Sequence, residues 1–224
     1  MSRYFITATG TGVGKTLVTA ALCHQLRQAG KFVKAIKPVI SGWDPYDPNS
    51  DTAILLRSME LPQDESTIAE VSPFRFAAPL SPDMAAARES RVLRLEEVVF
   101  HCYHTHADIV LAEGVGGIMV PLNAEHTVCD WMQALCWPVL LVAGSYLGSL
   151  SHTLTALEVL RKRQIFVQAL IVSESEESPV SLDETCQTLR RFVHKPIFPV
   201  PRFRYDGGEP WRRMPNIQEL VECV

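Results

Sequence analysis

Eight residues near the start, Thr9-Gly10-Thr11-Gly12-Val13-Gly14-Lys15-Thr16, constrain what this chain can fold into more than any other stretch. They follow a short apolar run, Tyr4-Phe5-Ile6, and precede Leu17-Val18-Thr19-Ala20-Ala21-Leu22-Cys23, whose apolar spacing is helical. Strand, glycine-rich turn and helix in that order form the setting of a phosphate-binding loop. Glycines let successive N–H groups point inward, and a helix beginning near Lys15 adds its partial positive end. Lys15 then supplies a cation for the β- and γ-phosphates, and the Thr16 hydroxyl can ligate Mg²⁺. The strict pattern asks for glycine five residues before Gly14, where this chain has Thr9, and a loop one residue longer would want glycine in place of Ala8. Strand, loop and helix still fall in register, so the stretch marks a nucleotide site.

Downstream, short apolar runs alternate with amphipathic stretches. Strands are expected at 3–7, 33–39, 108–112, 139–143, 166–172 and 197–200. Helices are expected at 16–29, from Asp51 as N-cap to about Met59, and at 79–89, 95–106, 128–135, 149–163, 182–193 and 217–224. Residues 61–78 give no regular pattern. Continuous apolar strands separated by helices imply burial on both sheet faces. The expected fold is therefore α/β, a doubly wound, mainly parallel sheet flanked by helices, of the P-loop nucleoside triphosphatase type. With neither repeats nor a linker, residues 1–224 read as one domain.

Net charge is −4 and pI near 6.0, so no nucleic-acid or membrane partner is expected, and an anionic ligand must be drawn by local arrangement. No apolar stretch approaches the ~20 residues that span a bilayer, and no signal peptide is expected. Six cysteines without a Cys-x-x-Cys pair fit reduced thiols in a cytoplasmic protein.

In parallel sheets ligands sit beyond the carboxyl ends of the strands. Lys37 closes the second strand, where it reaches the γ-phosphate region or is merely solvated. Ser41 either orients a substrate or satisfies a turn. Glu113, followed by Gly114-Val115-Gly116-Gly117, closes a buried strand, where a carboxylate holds Mg²⁺ beside phosphates, directly or through water, or serves as a salt-bridged structural glutamate. Asp51 is a helix cap or a second such carboxylate, and position alone does not separate the two. His101, His104 and His106 have metal-like spacing but no matched partners, and the basic runs at 161–163 and 212–213 fit surface charge.

These positions together resemble the ATP-dependent dethiobiotin synthetase family, over residues 3 to about 200. The motifs are Tyr4-Phe5-Ile6-Thr7 with Gly12–Thr16; Lys37-Pro38-Val39 with Ser41-Gly42; Asn49-Ser50-Asp51; Pro73-x-x-Phe76-x-x-Pro79-x-Ser81-Pro82; Glu113-Gly114-x-Gly116-Gly117 with Pro121-Leu122; Asp130-Trp131; and Leu147-Gly148 with His152. The resemblance implies a homodimer that joins 7,8-diaminononanoate and CO₂ (or bicarbonate) at the cost of ATP. One amine becomes a carbamate, ATP phosphorylates it, and the second amine closes the ureido ring. Residue by residue, it implies Mg²⁺ at Thr16, Asp51 and Glu113, and catalytic roles for Lys15, Lys37 and Thr11. It implies nucleotide contacts from Gly12, Val13, Gly14, Lys15, Thr16, Leu17, Asp51, Glu113, Gly114, Val115, Gly116, Ser173, Glu174, Pro201 and Arg202. Ser41 would meet the diamine, and Gly148, Ser149, Leu150 and Ser151 would receive its carboxylate tail from the other subunit. Ser173-Glu174 stands where many members carry Asn-Asp, and Gly10 and Gly12 where some carry acidic residues.

The competing reading is a dimeric P-loop ATPase switch of the partition and division-site type. Such switches carry a lysine early in the loop, where this chain has Gly10. They often end in a basic membrane-binding helix, whereas 217–224 holds Glu219 and Glu222 and no Lys or Arg.

Overall fold

The computed structural model describes residues 1–203 and 209–222. In order they form β1 (Ser2–Ala8), α1 (Lys15–Gln28), β2 (Val33–Ile36), β3 (Val39–Ser41), α2 (Asp51–Ser58), α3 (Glu65–Val71), β4 (Phe74–Phe76), α4 (Pro82–Arg88) and α5 (Leu95–His104). Then come β5 (Ile109–Glu113), α6 (Val128–Leu135), β6 (Val139–Gly144), α7 (Ser149–Lys162), β7 (Val167–Ser173), α8 (Leu182–Arg190), β8 (Ile197–Val200), a 3₁₀ turn (Pro210–Arg213) and α9 (Glu219–Glu222).

Six strands make one parallel sheet in the order β2-β5-β1-β6-β7-β8. Alternation along the central strand divides the core. Tyr4, Ile6 and Ala8 pack with Val18, Leu22 and Leu26 of α1 on one face, while Phe5 packs with Trp131 and Met132 of α6 on the other. The Phe5 and Trp131 rings meet edge to face with centroids 4.8 Å apart. With β1 between β5 and β6, the order reverses beside β1, and the loop after β1 lies at the carboxyl edge where such sheets bind ligands.

Several expectations are corrected by the structure. The strand expected over 33–39 breaks at Lys37-Pro38, because Pro38 has no N–H for the ladder. The chain veers off as β3, which pairs in parallel with β4 in a separate two-stranded sheet. Residues 61–78, which gave no regular pattern, hold α3 and β4. There Asp64 and Thr67 form a reciprocal capping box that starts a seven-residue helix. The N-cap of α2 is Ser50, whose side chain accepts the Ala53 N–H at 3.3 Å, and not Asp51. The closing helix is one turn, Glu219–Glu222; residues 223–224 of the expected helix, with Cys223, lie outside the described residues. No helix among the described residues is long and apolar enough to cross a membrane.

Candidate active site

The loop between β1 and α1 is closed by Gly14, the N-cap of α1, with φ of 100°. A side chain there would be strained, and its Cβ would stand 3.0 Å from Ser173 Oγ. That close approach brings the end of β7 against the loop. Two cavities flank the loop, and Thr11, Gly12, Gly14 and Leu17 line both. One, about 660 Å³, is also lined by Lys15, Thr16, Lys37, Ser41, Asp51, Val115 and Gly116. The other, about 570 Å³, is walled by Ser173, Glu174, Pro201 and Arg202.

The first cavity is built on buried charge. Lys37 and Glu113 are almost fully enclosed, at 3% and 0% exposure. Their juxtaposition follows from strand pairing: Ile36 of β2 lies opposite Ala112 of β5, so the next residue of each, Lys37 and Glu113, emerge side by side. Lys37 Nζ donates to Glu113 Oε1 at 2.6 Å and lies 2.8 Å from Asp51 Oδ2. Thr16 Oγ1 stands 2.7 Å from Asp51 Oδ1 and 2.8 Å from Glu113 Oε1. A hydroxyl has one proton, so it donates to only one of these two carboxylates at a time. Because Ser50 caps α2, the Asp51 carboxylate is free to join this cluster. Burial opposes the Lys37 charge, but Glu113 and Asp51 outweigh it and raise its pKa above the usual lysine value. Burial likewise opposes the Asp51 charge, and Lys37 outweighs it, leaving that pKa lowered.

Lys15 Nζ donates to the carbonyls of Gly10 at 3.1 Å and Gly116 at 2.8 Å. Burial, with Lys37 nearby, lowers its pKa to about 8. Glu113 Oε2 is buried and has no hydrogen-bond partner among the described residues. Hydroxyl and carboxylate oxygens converging beside an unsatisfied carboxylate oxygen suit a hard divalent cation such as Mg²⁺. Thr16, Asp51 and Glu113 are the residues that fit it.

Three sets of expected contact residues line neither cavity of this chain. Gly114 lines neither cavity. A Cβ on it would sit 2.9 Å from Cε1 of Phe5, so the close packing of strand and ring is what requires glycine. Gly148, Ser149, Leu150 and Ser151 begin α7 and line neither cavity of their own chain. Ser149 is buried, at 2% exposure, so this segment offers a ligand the main-chain N–H groups of the helix start rather than the Ser149 side chain. Glu113 itself lines neither cavity; its Oε1 lies within hydrogen-bond distance of Thr16 and Lys37, which line the first.

Sequence reasoning assigned no role to Pro79, Leu80, Ser81 and Pro82, which close the first cavity opposite the loop, nor to Tyr146 on the second. The Pro79-x-Ser81-Pro82 spacing was the available signal for the former. His101 and His104 line a separate cavity of about 710 Å³ at the β2 edge, which shares no residue with the loop.

A parallel sheet whose central strand feeds a glycine loop, with Lys15-Thr16 opening the next helix and a carboxylate ending the adjacent strand, defines a P-loop nucleoside triphosphatase. A family model described as an AAA domain matches residues 2–200. The ATP-dependent dethiobiotin synthetase BioD of Methylobacterium nodulans is 46% identical over 219 residues, 94% of this chain and 96% of that one. The enzyme of the same name from Acidiphilium cryptum is 45% identical over 220 residues, with the same shares. This chain belongs to the dethiobiotin synthetase family. Among solved structures, the MinC:MinD cell division complex of Aquifex aeolicus aligns with TM-score 0.57 over 95% of this chain and 86% of that one. At 13% identity this is a likeness of fold alone, and the switch reading is not favoured against relatives three times as similar.

Proposed function

We propose that this protein is an ATP- and Mg²⁺-dependent dethiobiotin synthetase acting in biotin biosynthesis on 7,8-diaminononanoate and CO₂. The observation that carries the reading is the buried Lys37–Glu113 pair, joined by Asp51 and Thr16 beside the loop, in a chain 46% identical to a relative of that name.

One diamine nitrogen adds to CO₂, releasing a proton and leaving a carbamate. A carbamate oxygen takes the γ-phosphoryl group and ADP departs. The second nitrogen then attacks the carbamoyl carbon, the ureido ring closes, and that nitrogen loses a proton as phosphate leaves. The carbamate, the γ-phosphate and the mixed carbamic–phosphoric anhydride are all anions, so catalysis consists of positioning them and offsetting their repulsion. Lys15 leaves its two carbonyl partners for the β/γ-phosphates, with loop N–H groups around them. Lys37, held by Glu113 and Asp51 in the lining of the same cavity, is the cation for the transferred phosphoryl group. Thr11 and Ser41 face the carbamate. Bound at Thr16, Asp51 and Glu113, Mg²⁺ would supply positive charge to the phosphate oxygens.

Gly148, Leu150 and Ser151, at the start of α7, serve the second subunit of a homodimer. Supporting this, Leu147 is 85% exposed, Leu150 is exposed, and the first-turn N–H groups of a 14-residue helix suit a carboxylate. The five described cysteines are free, in keeping with a cytoplasmic protein. The test is phosphate release from ATP, with and without diamine, bicarbonate and Mg²⁺. Release that depends on all three supports the reading. Turnover indifferent to the diamine, or driven by DNA or lipid, overturns it.

A further inference from the structure

The second cavity carries its own chemistry. Its wall is the turn after β7, Glu174 to Glu177, facing Pro201, Arg202 and Phe203. Glu174 is fixed by main chain at two points. Its own N–H donates to the Val200 carbonyl at 2.9 Å, and its Oε2 accepts the Arg202 N–H at 2.9 Å. Among the described residues only that one of its two carboxylate oxygens is engaged.

Two of the neighbouring polar side chains, those of Ser175 and Arg202, are committed elsewhere. Ser175 Oγ accepts the Ser145 N–H at 3.0 Å, and its N–H donates to Ser145 Oγ at 2.9 Å. Ser173 Oγ lies against Gly14 of the loop. The Arg202 guanidinium is paired with Glu176 at 3.0 Å on the exposed side. A base entering this cavity therefore meets a positioned carboxylate and no side-chain amide.

A carboxylate accepts hydrogen bonds and cannot donate them, whereas an amide does both. The amines of adenine (N6) and cytosine (N4), at equivalent places on the base edge, donate to such a group. Guanine, hypoxanthine and uracil carry a carbonyl oxygen at that place, which turns its lone pairs toward it. We propose that Glu174 determines base specificity, so that the co-substrate class is nucleoside triphosphates whose base bears an exocyclic amine at the adenine N6 or cytosine N4 place. This rests on the loop and the second cavity holding one nucleotide between them, as the synthetase reading requires. Glu174 is half-buried, so discrimination at the lower end of a charge-assisted hydrogen bond is expected, about tenfold.

The test is kcat/KM for ATP, CTP, GTP, UTP and ITP, at saturating diamine and bicarbonate, in the wild type and in Glu174→Gln. ATP and CTP should each exceed GTP, ITP and UTP by about tenfold or more. In Glu174→Gln, whose amide can offer N–H to a carbonyl oxygen, the ATP/ITP ratio should fall to within about threefold. Ratios taken within one protein preparation cancel any inactive fraction. Equal use of ATP and ITP by the wild type, or a ratio unchanged in Glu174→Gln, overturns the proposal. If no nucleotide supports diamine-dependent turnover, the synthetase reading fails on its own. Competitive binding of the same five nucleotides then decides the base question by the same ratios.

Discussion

The two cavities that share the loop are made in opposite ways. On the phosphate side the chemistry is in side chains locked together around a buried ion pair: Lys37, Glu113, Asp51 and Thr16 come from separate parts of the chain and hold one another within hydrogen-bond distance. On the base side the wall is loop, its acidic side chains are half to fully exposed, and main-chain N–H groups do much of the holding. Moving charge between anions demands preorganised groups in a water-poor setting. Distinguishing one base from another demands only a contact that the wrong base cannot make. Substitutions on the phosphate side should therefore cost orders of magnitude, and those on the base side small factors or changes of preference.

The largest effect tests the first half of that contrast. Lys37→Ala removes the cation that two carboxylates hold in place, and diamine-dependent phosphate release should fall about 10²-fold or more. The rate is taken per mole of folded protein, because Glu113 loses its buried ion partner and the variant melts lower. A variant keeping more than about a tenth of the rate would remove Lys37 from the reaction.

Much of the phosphate side was legible in the sequence, for a physical reason. A strand buried on both faces is a continuous apolar run, so its end is marked, and chemistry in a parallel sheet sits at strand ends. Lys37 and Glu113 were found that way. Their ion pair was not, since it depends on β2 and β5 pairing in one register across 76 positions of sequence. Asp51 was ambiguous because cap and first helical residue differ by one position, and only the Ser50 bond to Ala53 separates them. α3 and β4 were missed because a three-residue strand paired across 35 positions leaves no local periodicity. The base-side wall is assembled by β7 and β8 pairing, which brings Glu174 to Arg202, and neither residue announces this.

Gly114 adjoins the phosphate side without contributing chemistry to it. Gly114→Ala would place a methyl group 2.9 Å from a Phe5 ring that is itself braced against Trp131. Overpacking of this kind costs about 1–3 kcal/mol, read as a lowered midpoint in chemical denaturation. Metal-free nucleotide affinity should change less than about twofold. Lost affinity with unchanged stability would return Gly114 to the nucleotide contacts.

A smaller effect follows from Lys15, whose pKa in the free protein is lowered to about 8. Triphosphate favours the charged lysine, so binding raises that pKa. Affinity is then fully present below about pH 8 and falls as pH rises through that value toward the bound-state pKa. The slope approaches tenfold per pH unit, with proton uptake on binding. Calorimetry at pH 8.5 to 9.5 in buffers of different ionisation enthalpy measures both. Affinity flat across that range would mean that Lys15 does not meet phosphate.

The smallest expected effect probes the base side. Arg202 reaches the cavity in two ways: its main-chain N–H steadies Glu174, and its half-exposed guanidinium pairs with the exposed Glu176. Arg202→Ala keeps the first and deletes the second. Exposed pairs of this kind are worth about 0–1 kcal/mol. The KM for ATP should therefore rise less than about fivefold, with kcat unchanged and the ATP/ITP ratio preserved. A loss of 10²-fold, comparable to that of Lys37→Ala, would mean that the base side also relies on a side-chain charge, and the contrast between the two cavities would fail.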